Sequence, residues 1–267
     1  MAVVRPDPLS DFSADTFTHA GQDKRVFRKG EGPGVVVITE IPGITPYVAD
    51  FARTVVDAGF TVAMPDLFGE AGRPISPGYM ASSMARACIS AEFKVLAARG
   101  TSPVVGWLRA LGKDLHERCG GPGVGAIGMC LTGNFALAMA IDDHLLAPVL
   151  SQPSLPIGQL PSQRRGLHIS DADLATVKQR AAAGLPILGM RFQGDPLCTK
   201  ARFDRLEQEF GDAFIRVELP RSSRNPRGKP VPPHSVVTTD LIDEPGQPTR
   251  GALDQVLALF KRQLVVD

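Results

Sequence analysis

The chain has 267 residues, a formal net charge of +1 and 43% hydrophobic residues. That is enough apolar material for a sizeable core in one large domain or two small ones, without help from disulfides or a metal. The near-zero charge gives no electrostatic case for nucleic acid or an acidic membrane surface, and no apolar run reaches the roughly 20 residues of a membrane helix.

Residues 1–30 are polar and irregular, with short strands expected near Asp15 to His19 and Lys24 to Arg28. Met1 to Asp7 carries no apolar segment of the secretory type. The four cysteines, Cys88, Cys119, Cys130 and Cys198, are widely spaced and form no CxxC pair, so no zinc site is expected. Together these features point to reduced thiols and a cytoplasmic protein.

The first strong strand is Gly34 to Thr39, β-branched and uninterrupted, as in strands buried on both faces of a parallel sheet. A helix is expected from Thr45-Pro46 to Asp57, with Gly59 stopping it. Phe60 to Met64 reads as the next strand. Helical spacing then runs from about Pro77 to Ala98, and again from about Pro103 to His116. Val124 to Gly128 is a small-residue strand that turns directly into the helix-forming run Asn134 to Ala140, which is expected to continue to about Asp142.

Leu145 to Leu150 is a buried strand, and Ser151 to Ser162 a Pro-rich loop. Asp171 to Ala183 is helical with Ser170 as its cap. Leu185 to Phe192 is a strand, Thr199 to Phe210 a helix, and Phe214 to Leu219 a strand. The basic stretch Arg221 to Lys229 reads as a solvated loop, and the last helix spans about Gly251 to Leu264. Strands alternating with helices predict an α/β domain with a mostly parallel sheet covered on both faces. One domain over 31–267, with 1–30 packed on it as an N-terminal segment, is the economical division.

In open α/β sheets function collects at the carboxyl ends of strands. The segments found there are Glu40-Ile41-Pro42-Gly43, Gly128-Met129-Cys130-Leu131-Thr132-Gly133, Gln193-Gly194-Asp195-Pro196 and, after a long loop, Pro232-Pro233-His234-Ser235. A nucleophilic side chain at a sharp strand-to-helix corner is the layout of a nucleophile elbow, and Cys130 occupies that corner. Cys, Asp and His then follow in the chain order of α/β-hydrolases. His234 would serve as general base to the Cys130 thiol, and Asp195 would fix the imidazole tautomer. The backbone N–H groups of Leu131 and Ile41 are the natural oxyanion donors.

Each assignment has a rival. Asp66, at the end of the second buried strand, competes with Asp195, which would also suit a turn before Pro196. His19, His116, His144 and His168 compete with His234, but none stands in the expected order. A lone Cys is more often an inert core residue, and that is the reading for Cys88, Cys119 and Cys198. Cys198 follows Asp195 by three residues, a spacing compatible with a place near the mouth of the site, but no role is assigned to it.

These segments resemble the dienelactone hydrolase family of the α/β-hydrolase superfamily. Its elbow reads Gly-x-Cys-Leu-Gly-Gly and its first loop Glu-Ile-x-Gly, here Gly128 to Gly133 and Glu40 to Gly43. Gly194-Asp195 and His234-Ser235 match the family's later segments, the former loosely. The resemblance spans about Gly34 to Leu264. It implies a single α/β-hydrolase domain and a cysteine-dependent, carboxymethylenebutenolidase-like hydrolase of an ester or lactone, working through an acyl-cysteine without metal or organic cofactor. It further implies that Glu40 contacts the resting thiol and takes part in forming the thiolate.

Two departures stand out. Thr132 replaces the first glycine of the closing pair. Thr238 stands four residues after the His, where the family prototype has an Arg that binds a substrate carboxylate. Arg73 and Arg86 are candidates for a second such Arg, with Arg86 preferred and Ser235 beside it as a substrate contact. An uncharged ester is therefore as compatible as an anionic lactone. The expected partner is a small ester or lactone, in a monomer or small homo-oligomer. The alternatives are a thioesterase or other acyl hydrolase using the same residues, and a non-catalytic relative that only binds.

Overall fold

The structure, a computed structural model, describes residues 8–89, 102–154, 164–226 and 232–266. Strands β1 (Ser13–His19) and β2 (Gln22–Lys29) form an antiparallel hairpin. Its two-residue turn, Ala20-Gly21, has φ of 49° and 73°, the left-handed backbone that matches hairpin twist. Six strands follow: β3 (Gly34–Ile38), β4 (Thr61–Pro65), β5 (Val124–Met129), β6 (Leu145–Ser151), β7 (Ile187–Phe192) and β8 (Phe214–Leu219). The sheet order is β1-β2-β4-β3-β5-β6-β7-β8. β2 joins β4 antiparallel, and every pairing from β4 to β8 is parallel.

The helices among the described residues are α1 (Pro46–Asp57), α2 (Pro77–Ile89), α3 (Pro103–Cys119), α4 (Gly133–Met139), α5 (Asp171–Ala182), α6 (Lys200–Phe210) and α7 (Pro248–Leu264). α1 and α7 bury Val48, Phe51, Val256 and Phe260 against one face of the sheet. α3 to α6 bury Trp107, Leu111, Phe135, Val177 and Phe203 against the other. β3 and β5 are fully buried, which accounts for their continuous apolar sequences. No helix among the described residues is long and apolar enough to cross a membrane.

Several boundaries shift for local reasons. α7 starts at Pro248, because proline suits the first helical position. α4 stops at Met139 rather than Asp142. There the Arg180 guanidinium donates to the carbonyls of Ala140 and Asp142 at 2.7 and 2.6 Å, while Arg109 pairs with the Asp142 carboxylate. The helix expected to Ala98 is described to Ile89, and 90–98 lie outside the described residues. So do 155–163 of the Pro-rich loop and 227–231 of the basic stretch.

The chain enters the sheet interior at β3, moves outward to β4, then returns to place β5 on the other side of β3. Such a reversal is where α/β sheets generally bind ligands, beyond the carboxyl ends of the two strands, here β3 and β5. Glu40 and Cys130 lie at those two strand ends.

Candidate active site

β5 ends in a corner that few sequences permit. Cys130 has φ of 56°, the left-handed region, which costs a non-glycine residue on the order of 1–3 kcal/mol and clusters at functional sites. Close packing enforces it. A Cβ on Gly128 would come within 2.0 Å of the Thr132 carbonyl oxygen, and one on Gly133 within 2.9 Å of Pro153 Cα. Cys130 to Thr132 form one 3₁₀ turn that leads into α4. The N–H of Leu131 falls in that first turn, where helix amides have no intrahelical acceptor.

Thr132 performs a task glycine cannot. Its hydroxyl accepts from the Met129 N–H at 2.8 Å and donates to the Ile38 carbonyl, also at 2.8 Å. The elbow is thus tied to the end of β3, just ahead of Glu40. On the far side of the corner lies the segment after β6. Ser154 N donates to the Cys130 carbonyl at 3.0 Å, and Asn134 Nδ2 donates to the Ser154 carbonyl at 3.1 Å. Cys130 is buried, 7% exposed as a residue, and its sulfur forms a hydrogen bond with Ser154 Oγ at 3.0 Å.

Asp195 and His234 come together although 39 residues separate them. The imidazole Nδ1 lies 2.6 Å from Asp195 Oδ2. The other carboxylate oxygen accepts from the N–H groups of Leu197 and Cys198 at 2.8 and 3.2 Å. Nε2 of His234 is buried and without a hydrogen-bond partner among the described residues. Burial alone would lower the imidazole pKa. The charges on Cys130 and Asp195, with the Asp195 hydrogen bond, outweigh it and hold the pKa well above its ordinary value. The imidazole therefore feels both the sulfur and the carboxylate.

Glu40 is buried and meets three donors: Ser235 Oγ at 2.7 Å, Thr238 Oγ1 at 2.5 Å and Gln152 Nε2 at 3.3 Å. The contact expected between Glu40 and the thiol is replaced by that of Ser154. Ser235, expected to touch substrate, directs its hydroxyl to Glu40. Thr238, at the position of the prototype's Arg, closes the same carboxylate. Gln152, itself at a positive φ of 36°, accepts from the Val236 N–H at 3.3 Å and from Ser151 Oγ. Asp240 Oδ2 accepts from the backbone N–H groups of His234 and Ser235 at 2.9 and 3.2 Å.

The remaining candidates lie elsewhere. Asp66 pairs with Arg25 at 3.1 Å, away from the imidazole. Arg73 pairs with Glu70 and stacks over the Tyr79 ring at 4.4 Å. Arg86 sits on α2, with its side chain outside what the structure describes. His116 and His144 stack on each other at 6.1 Å between ring centroids. Cys198 is fully buried under Asp195, and burial drives its thiol pKa far up. Ile41 is buried in the turn that Gly43 N closes onto the Glu40 carbonyl at 2.8 Å.

Ser154, Gln152, Asn134 and Asp240 were not singled out from the sequence. For Ser154 the available signal was its place just past a buried strand's carboxyl end. A cleft of about 660 Å³ lies beyond Thr238, lined by Tyr47, Asp50, Asn225 and Glu244 among others, and neither Cys130, Asp195 nor His234 borders it. No group of three or more His, Cys, Asp or Glu residues suited to a metal exists among the described residues.

A sequence model of the dienelactone hydrolase family matches residues 23–221. The carboxymethylenebutenolidase of Rhodococcus opacus is 28% identical over 124 residues, which are 46% of this chain. The match spans 42% of that relative's length, so less than half of it is represented. Among solved structures, a putative dienelactone hydrolase from Klebsiella pneumoniae superposes with a TM-score of 0.60 at 14% identity, covering 94% of this chain and 98% of that one. The dienelactone hydrolase of Anabaena variabilis gives 0.57 at 16% identity, with 95% and 98% covered. At such identities these two structures establish the shared fold.

Proposed function

This chain belongs to the dienelactone hydrolase family, and we propose that within it the protein is a cysteine-dependent hydrolase that cleaves an ester or lactone through an acyl-cysteine. The observation that carries this reading is the Asp195–His234 bond of 2.6 Å. It holds the ring through Nδ1 and leaves Nε2, buried and without a hydrogen-bond partner among the described residues, as the nitrogen free to act on the Cys130 thiol, whose charge helps to raise the imidazole pKa.

In the first half-reaction His234 Nε2 takes the Cys130 proton and Sγ attacks the substrate carbonyl carbon. The carbonyl π pair moves onto oxygen, and the N–H groups of Leu131 and Ile41 hold the resulting oxyanion. Collapse reforms the carbonyl, breaks the bond to the alcohol oxygen, and returns the proton from His234 to that oxygen. In the second half His234 takes a proton from water, and the hydroxyl attacks the acyl-cysteine. The acid leaves, and the thiol regains its proton. Asp195 stays ionised throughout and stabilises the imidazolium in each half.

Glu40 supports this arrangement as a brace. Its carboxylate holds Ser235 and Thr238 of the loop that bears His234. Because Thr238 closes Glu40, the position offers no cation to a substrate carboxylate, which favours an uncharged ester or lactone.

The test is hydrolysis of p-nitrophenyl acetate by wild type and Cys130→Ala. We expect the variant to lose a thousandfold or more in kcat, an order of magnitude taken from nucleophile deletions elsewhere. Iodoacetamide should inactivate the wild type in parallel with alkylation of Cys130. Equal hydrolysis by both proteins would end the reading. A panel of neutral lactones, aryl esters and thioesters then ranks the acyl groups.

A further inference from the structure

Ser154 is fully buried, and Cys130 Sγ, at 3.0 Å, is the partner of its hydroxyl. The main chain that carries the hydroxyl is held by hydrogen bonds at several points. Ser154 N is held by the Cys130 carbonyl and its carbonyl by Asn134 Nδ2. Pro153, just before it, receives the Arg202 guanidinium on its carbonyl at 2.7 Å and lies against Gly133. Gln152 N donates to the Met190 carbonyl at 2.7 Å. Segment 152–154 is thereby clamped between β7 and the elbow, with one hydroxyl aimed at the sulfur.

We propose that Ser154 is a positioning residue for the thiolate, its hydroxyl donating to Cys130 Sγ whenever His234 holds the proton. The proposal rests on the hydrolase reading above and adds to it a residue outside the Cys–His–Asp set. A serine hydroxyl has one hydrogen and two acceptor sites. Against a protonated thiol either atom can donate. Against a thiolate only the hydroxyl can, and a charge-assisted bond from a preorganised donor is the stronger form. Ser154 thus favours the ionised sulfur over the neutral one and lowers the pH at which the thiolate forms. Glu40, engaged by Ser235, Thr238 and Gln152, does not compete for the sulfur.

Among the described residues, charged or ionisable groups that interact with Cys130 include His234, Arg202 and Cys198, with Asp195 behind the imidazole. All remain in Ser154→Ala, so the variant isolates the hydroxyl. The experiment is the rate of iodoacetamide alkylation at Cys130, located by peptide mass, as a function of pH. It is run on full-length wild type, Ser154→Ala and Ser154→Thr, with Cys130→Ala as background.

We expect the midpoint of the Ser154→Ala profile to rise by about one pH unit, making alkylation roughly tenfold slower on the acid side, while the alkaline plateau stays put. Ser154→Thr, which keeps the hydroxyl, should restore the midpoint. A purely structural role predicts a lower plateau with an unmoved midpoint, and that result would overturn the proposal. If Ser154→Ala does not fold, Ser154→Gly replaces it, and failure of both to fold also counts against the proposal. The outcome is independent of the hydrolysis assay. Cys130→Ala retaining esterase activity would remove the hydrolase reading, whereas an unmoved midpoint would remove only the role of Ser154.

Discussion

Different physics holds Cys130 and His234, the proposed nucleophile and base, in place. Cys130 is placed by backbone sterics. Its positive φ is enforced by two glycines whose Cβ atoms would strike backbone or Pro153, and by a Thr132 hydroxyl bound to β3. His234 sits on a loop without regular structure. Three carboxylates place it: Asp195 on the ring, Asp240 on the backbone N–H groups, and Glu40 on the flanking hydroxyls. A corner set by excluded volume has no room for an added atom at Gly128 or Gly133. A loop set by polar contacts tolerates changes of shape but not of charge. Damage to the corner should therefore appear in stability, and damage to the loop in catalysis and its pH dependence.

The largest effect expected is that of Asp195→Asn. Oδ1 can still serve the Leu197 and Cys198 N–H groups, so the fold should survive. The amide would donate to Nδ1 and impose the wrong tautomer, for which a loss of about ten-thousandfold in kcat is the order of magnitude. The pKa of His234 should also fall, because a carboxylate that raises it has gone. Steady-state kinetics and an imidazole NMR titration measure both. A kcat within tenfold of wild type would mean that the ring is not held by Asp195 during turnover.

Gly128→Ala attacks the other region and comes next in size. The added methyl meets the Thr132 carbonyl oxygen at 2.0 Å, a backbone atom that cannot rotate away. Urea denaturation should show about 3 kcal/mol of lost stability, as for overpacked cores. The pH profile of the fraction that still folds should keep its shape. A shifted profile with unchanged stability would reverse the comparison between the two regions.

The same contrast explains what could be read from the sequence. The elbow was legible because sterics act between neighbours: Gly128, Cys130 and Gly133 lie within six residues. β3, β5 and the order Cys, Asp, His were legible because buried parallel strands announce themselves as apolar runs whose ends collect function. Ser154, Gln152 and Asp240 were not, since an isolated Ser, Gln or Asp in a loop carries no periodic signal. Their partners lie 24, 112 and 6 residues away. The expected contact of Glu40 with the thiol failed for a related reason. Thr238 was recognised as an absent Arg, but that its hydroxyl would bind Glu40 across 198 residues was not evident before folding.

Asp240→Ala is the smallest and sharpest probe. It leaves the imidazole, its Asp195 partner and the elbow untouched, and removes only the acceptor for the His234 and Ser235 N–H groups. Two part-buried donors without an acceptor should cost about 1–2 kcal/mol of stability. The loop then holds the imidazole less firmly, so on the proposed mechanism kcat should fall by about tenfold with KM little changed. Gly128→Ala, with the greater loss of stability, should retain more of the wild-type kcat per folded molecule. If Asp240→Ala loses stability while its kcat stays within twofold of wild type, then Asp195 and Glu40 suffice to place His234. Asp240 would then drop out of the set of carboxylates that place His234.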